Sequence, residues 1–253
     1  GFTEVYSLAE TAPALETSAF TGINNNAILY YPASSEPSYD DKGWFNYFSQ
    51  HIEFNGQCGD NLYWRVDDDN TLTIFGTGAM DDYDSSSNKA PWRSLNPAPT
   101  SLVLEEGISH IGNSAFEECS RFRGSLTIPN SVTSIGAWAF YQCSGFTGSL
   151  TIPNSVTTIG NYAFATCTEL TEIQLPDSLN SIGSMAFMGC KNLTDIEIGE
   201  GVTSIGRYAF LRCENLTNIT LPNSLERIGI GAFCACYSLN NVVIPNGVKE
   251  IAG

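Results

Sequence analysis

The stretch that decides the fold reads Leu170-Thr171-Glu172-Ile173-Gln174-Leu175-Pro176-Asp177-Ser178-Leu179-Asn180-Ser181-Ile182-Gly183-Ser184-Met185-Ala186-Phe187-Met188-Gly189-Cys190-Lys191. Its opening alternates apolar with polar residues, which predicts a strand with Ile173 and Leu175 inward and Glu172 and Gln174 outward. Pro176-Asp177-Ser178 predicts a turn, with φ preset by proline and a short polar side chain able to bond its own backbone. Leu179 and Ile182 form a second short apolar edge, Gly183 is read as permitting a sharp bend, and Ala186, Phe187 and Cys190 turn inward on the far side.

The same phrase recurs. Ile-Gly pairs stand at Ile111, Ile135, Ile159, Ile182, Ile205 and Ile228, at intervals of 24, 24, 23, 23 and 23 residues. Each is followed by Ala-Phe, ending at Phe116, Phe140, Phe164, Phe187, Phe210 and Phe233, and then by Cys119, Cys143, Cys167, Cys190, Cys213 and Cys236. A fixed period of this length means a solenoid, in which each unit buries its apolar faces only by stacking on its neighbours. The expected fold class is therefore a mainly β repeat solenoid of parallel strands.

The period and the Leu170-x-x-Ile173-x-Leu175 core resemble leucine-rich repeats. The fuller phrase, Ile-Pro-Asn-Ser-Val-Thr-Ser-Ile-Gly-x-x-Ala-Phe-x-x-Cys, resembles the BspA-like class of bacterial surface leucine-rich repeats. Asn or Cys shortly after the strand is missing, so short turns or strands are expected on the convex side in place of helices. The resemblance implies an extracellular or cell-surface location and a role in adhesion or protein binding, with a strand hairpin preceding the array.

Three segments follow. Residues 1–54 read as the tail and C-terminal cap of a preceding array, with Phe2-Thr3-Glu4-Val5 and Ala27-Ile28-Leu29-Tyr30-Tyr31-Pro32 as strands and Ser18-Ala19-Phe20 as an Ala-Phe step. Within it, Gly43-Trp44-Phe45-Asn46-Tyr47-Phe48-Ser49 is read as a cap ahead of an aromatic sugar platform. Residues 55–100 read as a hairpin cap and loop, with strands 61–66 and 71–75 joined through Asp67-Asp68-Asp69-Asn70. Residues 101–253 hold about six repeats of 23–24 residues. Both ends begin and stop within a repeat, so the chain is expected to be a piece of a longer protein.

The 253 residues are 42% hydrophobic and carry a net charge of −16, which opposes nucleic acid and anionic lipid as partners. No apolar run approaches the ~20 residues of a membrane span, so no membrane insertion is expected. Only His51 and His110 are present, and neither lies in a metal-binding or nucleophile motif. No catalytic residue, metal ligand or cofactor is expected, and the chain is read as a monomer and not as an enzyme. Asp67, Asp68, Asp69, Asp81, Asp82 and Asp84 lack the glycine and distal glutamate of a calcium loop and are read as solvated turns. The repeat cysteines are expected to be free buried thiols, because parallel Cβ vectors about 4.8 Å apart suit a disulfide poorly. Cys234 stands apart as a candidate reactive thiol, with packing ranked ahead. The sequons at Asn192, Asn215 and Asn218 follow from the repeat phrase itself.

Two outward columns run along the stack. The first is Ser101, Ser125, Ser149, Glu172, Asp195, Asn218 and Asn241; the second is Val103, Thr127, Thr151, Gln174, Glu197, Thr220 and Val243. Charge concentrates in the middle repeats, so the candidate ligand-binding residues are Glu172, Gln174, Asp195, Glu197, Asn218 and Thr220. A protein or glycan partner that is basic or hydrogen-bonding fits them. The alternative is a spacer without a ligand of its own within a larger surface protein.

Overall fold

The computed structural model describes residues 3–15, 19–24 and 26–252, the side chain of Ser34 excepted. Phe2 of the first expected strand and Ser18 of the expected Ala-Phe step lie outside the described residues.

From residue 101 onward the strands pair in parallel, one coil to the next. The strands Gly148–Thr151, Leu170–Gln174, Asp195–Glu197 and Asn218–Thr220 form one sheet, in which Glu172 lies beside Asp195 and Asp195 beside Asn218. A second ladder is built from two-residue strands at the Ile-Gly steps, running through Ser134–Ile135, Thr158–Ile159, Ser181–Ile182, Ser204–Ile205 and Arg227–Ile228. Alternation holds as the sequence predicts: Leu170, Ile173 and Leu175 are buried while Glu172 and Gln174 are exposed. The convex side carries turns and no helix.

The glycine of each Ile-Gly step does a different job from the bend expected of it. Its φ is not left-handed; instead, the backbone of the preceding coil passes so close that a Cβ on Gly206 would stand 2.6 Å from Ser184 N and one on Gly229 would stand 2.7 Å from Arg207 N. Close approach is needed because Gly206 N–H and Gly229 N–H donate to the carbonyls of Ile182 and Ile205 at 2.9 and 2.8 Å. The turn residues likewise act across coils more than within them. Ser178 Oγ and Ser224 Oγ each donate at 2.7 Å to the preceding coil, at Val156 O and Val202 O.

The left-handed positions lie elsewhere. Glu118, Gln142, Thr166, Gly189, Arg212 and Ala235, each just before the repeat cysteine, have φ between 58° and 72°. This conformation aims the N–H along the stack: Thr166 N donates to Met188 O at 2.6 Å and Arg212 N to Cys234 O at 2.9 Å. A non-glycine residue held there costs about 1–2 kcal/mol, only partly offset by the greater unfolded-state freedom of glycine. Arg212 is exposed and forms no salt bridge among the described residues, and the preceding coil already uses Gly189 at this place. Arg212→Gly is therefore expected to raise the melting temperature by about 2 °C, from a gain of roughly 0.5–1 kcal/mol; a lower melting temperature would contradict it.

Inside the coils, the repeat phenylalanines stack ring on ring. Successive centroids from Phe116 to Phe233 are 5.2–5.6 Å apart with interplanar angles of 16° or less. Trp92 begins the column, stacked on Phe116 at 5.4 Å, and its indole N–H donates to Ala115 O at 2.8 Å. The cysteines stack beside the rings, and all eight are free. Cys167, Cys190 and Cys213 each donate Sγ–H to a phenylalanine carbonyl one coil back, at 3.2–3.3 Å. Phe140 O thus accepts both Cys143 N–H and Cys167 Sγ–H, so the thiol fills a second acceptor direction as well as space. Burial pushes the Cys167 thiol up to about 12.

The two 24-residue periods each contain one extra residue, a left-handed glycine that opens the Ser-Leu-Thr segment, with φ 82° at Gly124 and 79° at Gly148. It shifts the register between Gly148 and Ser149. In the coil of Gly124 only a single bridge to Phe146 forms, so Ser125 and Thr127 lie in no strand, contrary to the expected columns. Asn241 and Val243 also lie outside strands, in a coil whose outer edge is exposed.

The N-terminal strands Glu4–Tyr6 and Ile28–Pro32 pair in parallel, and a third, Gln50–Phe54, joins them. One face, with Leu29 and Tyr31, packs on Tyr39, Trp44 and Phe48. The other, with Tyr30 and Phe54, lies against Tyr63 and Phe75 of the antiparallel pair Leu62–Val66 and Thr71–Gly76. The reverse face of that pair, Leu62, Trp64, Leu72 and Ile74, belongs to the array core, and Thr71–Gly76 pairs in parallel with Ser101–Leu104. The hairpin is thus inserted between the N-terminal strand face and the array.

Candidate functional site

The parallel register brings all six candidate residues together. Glu172, Asp195 and Asn218 form one row across adjacent strands, and Gln174, Glu197 and Thr220 form the next. They line a shallow groove of about 470 Å³ along the three strands whose inward residues are Ile173, Ile196 and Ile219. The row is organised by short hydrogen bonds: Ser149 Oγ donates to Glu172 Oε2 at 2.9 Å, Thr151 Oγ1 to Gln174 Oε1 at 3.1 Å, and Asn218 Nδ2 to Asp195 Oδ1 at 3.0 Å. The Asn218 amide and the Thr194 hydroxyl hold the Asp195 carboxyl below its ordinary range. Glu197 has no hydrogen-bond or ion-pair partner among the described residues.

Two further carboxylates, Asp177 and Glu200, line the same groove from the turns after the strands. Asp177 Oδ1 accepts Glu200 N–H at 2.8 Å, and Glu200 Oε2 accepts Asn223 N–H at 3.1 Å. The strand columns did not include them, although the signal was present: they hold one turn position 23 residues apart, where neighbouring coils have Asn154 and Asn223. No lysine or arginine lines the groove. The ion pairs of the array, such as Lys191–Glu214 and Arg227–Glu250, involve other residues. Five carboxylates therefore share one face without a compensating base, an arrangement that costs stability where like charges sit side by side on neighbouring strands.

Elsewhere, the acidic turns are occupied internally. Asp67 Oδ1 accepts the N–H groups of Asp69 and Thr71 at 3.0 and 2.9 Å, Asp84 Oδ1 accepts those of Ser86, Ser87 and Asn88, and Asp82 Oδ1 accepts that of Asn113. Among the described residues no group of three or more potential ligands is placed to hold a metal ion. His51 stacks on Phe45 at 4.0 Å, and His110 Nδ1 shares a hydrogen bond of 2.7 Å with Ser134 Oγ. Cys234 is exposed. No helix is long and apolar enough to cross a membrane among the described residues.

Parallel strands on one side, short edges on the other and one inward phenylalanine per coil define a leucine-rich-repeat solenoid. The chain belongs to the BspA type leucine-rich repeat family, whose repeat matches residues 96–148 and 146–253 in six copies. Among solved structures it is similar to a leucine-rich cell surface protein from Faecalibacterium prausnitzii, with 26% identity and a TM-score of 0.56 over 72% of this chain and 52% of that one. A leucine-rich repeat protein from Bacteroides ovatus shares the fold at 24% identity and TM-score 0.51, over 77% of this chain and 60% of that one. A T. pallidum leucine-rich repeat protein does so at 24% identity and TM-score 0.55, over 74% of this chain and 92% of that one. The chain thus spans about half the length of the F. prausnitzii protein. No curated protein matches.

Proposed function

We propose that the chain is a non-catalytic recognition module of a bacterial surface protein, and that it binds a cationic or hydrogen-bond-donating partner, protein or glycan, through the acidic strand face. The observation that supports this reading is the gathering of Glu172, Asp195, Glu197, Asp177 and Glu200 on one groove with no basic residue among its lining. Like charges without a basic counter-ion are retained where they serve binding, and a focused negative field speeds and selects association with positive partners. A surface location is supported by the family and by the cell surface protein of F. prausnitzii.

A panel of glycans and extracellular-matrix proteins, screened at low and high salt, tests the proposal. The expected hits are basic or donor-rich ligands whose binding weakens with salt, as it must when exposed charges are screened over about 10 Å at 0.1 M. Absence of binding across the panel would favour the spacer reading, for which the uncharged outward residues Ser125, Thr127, Ser149 and Thr151 of the earlier coils would be the typical surface.

A further inference from the structure

A second cavity, of about 450 Å³, lies where the segment after the hairpin meets the first coils of the array. Its charge is opposite to that of the strand groove. Lys89, Arg93 and Arg121 line it against the single carboxylate of Glu118, in a chain with only 11 basic residues and a net charge of −16. Arg93 is committed to structure: its side chain is 8% exposed and its guanidinium pairs with Glu117 at 3.3 Å and Glu118 at 2.7 Å. Arg93 is shared between the two carboxylates, so three bases face two acids and the cluster keeps a net positive charge, with two bases uncommitted. Lys89 and Arg121 are both exposed, and neither has a hydrogen-bond or ion-pair partner among the described residues.

The remaining walls complete a small-ligand site. Leu95, partly exposed, supplies apolar surface in front of the buried Trp92 and Phe122, and Ser94, Asn96 and Ser120 supply hydroxyl and amide groups. A concave site of a few hundred Å³ lined by polar groups and some apolar surface suits a small molecule rather than a flat protein surface. An ammonium and a guanidinium at one cavity select an oxyanion, because charge-assisted hydrogen bonds from nitrogen to carboxylate or sulfate oxygen are the strong ones. Nucleic acid is opposed by the field of the rest of the chain.

We infer that this cavity binds a small ligand of sugar size bearing a carboxylate or sulfate, held by Lys89 and Arg121. It lies apart from the acidic strand face and shares no residue with it. Titration calorimetry on the 253-residue protein, with glucuronate, glucose 6-sulfate, inorganic sulfate and glucose as probes, tests the inference. Three proteins are compared: wild type, a Lys89→Gln, Arg121→Gln double variant, and a Glu172→Ala, Asp195→Ala, Glu197→Ala triple variant. Both sugar acids are expected to bind wild type and the triple variant alike. In the double variant their dissociation constants are expected to rise by about tenfold or more, the loss for one or two charge-assisted hydrogen bonds. Glucose is expected not to bind, and inorganic sulfate to bind more weakly than the sugar acids. Unchanged affinity in the double variant, binding of glucose equal to that of glucuronate, inorganic sulfate equal to the sugar acids, or no binding of either sugar acid would each overturn the inference. Both substituted side chains are exposed, so circular dichroism melting of the double variant within about 2 °C of wild type is expected to confirm that the loss is local.

Discussion

Phe187→Ala is expected to destabilise the protein by about 3–5 kcal/mol, the range for emptying an aromatic side chain from a packed core. Phe187 is fully buried, with Phe164 and Phe210 stacked on its two faces at 5.5 and 5.6 Å and nearly parallel to it. The void cannot be closed by collapse along the stack. Phe187 N–H donates to Ala209 O at 2.9 Å, Phe164 N–H to Ala186 O at 2.8 Å, and the coils on either side repeat the bond. Phe233→Ala is the matched control, since that ring is only partly buried and has one stacked neighbour among the described residues, Phe210. Denaturant unfolding should rank Phe187→Ala well below Phe233→Ala in stability; equal losses would contradict the continuous aromatic column.

Gly206→Ala is expected to cost about 3 kcal/mol or more, at the upper end of what an added methyl group costs in a packed interior. At a permissive site the same change would gain about 0.4–1 kcal/mol by restricting the unfolded chain. Here the new Cβ would sit 2.6 Å from Ser184 N and 2.7 Å from Gly183 C, both of them backbone atoms of the preceding coil. That coil cannot withdraw without stretching the Gly206 N–H to Ile182 O bond. A thermal melt within 1–2 °C of wild type, about half a kcal/mol in a chain of this size, would show that the coils are not pressed together at this step.

Much of this was legible because it was written six times. The strand alternation of Leu170–Gln174, the turn after it and the inward Ala-Phe-Cys set each follow from a residue pattern checked against its copies. What was missed occurs once. Trp92 stands 24 residues before Phe116, one full period, but as a different residue type within a Pro91–Ser94 turn, so it was not read as the first ring of the column. Gln50–Phe54, just after the aromatic cap segment, is given no strand by the sequence reading, although it pairs with the strand 22 residues earlier. The reason for the Ile-Gly glycine was misread because sequence displays a residue's own conformational freedom, whereas here the constraint comes from a backbone 23 residues away. The groove was only partly visible for a similar reason: strand columns identify Glu172, Asp195 and Glu197, while Asp177 and Glu200 reach the same space from turns.

The central claim is a division of labour between an inner ladder that folds the chain and an outer acidic face that recognises a partner. The most direct measurement pairs melting with binding for the Glu172→Ala, Asp195→Ala, Glu197→Ala variant, using a ligand that binds the wild type. Exposed strand positions of this kind bury little apolar area, so each replacement should leave stability within about 0.5 kcal/mol. The account predicts a cooperative melt near that of wild type together with lost or strongly weakened binding. A variant that melts like wild type and still binds as tightly would contradict it.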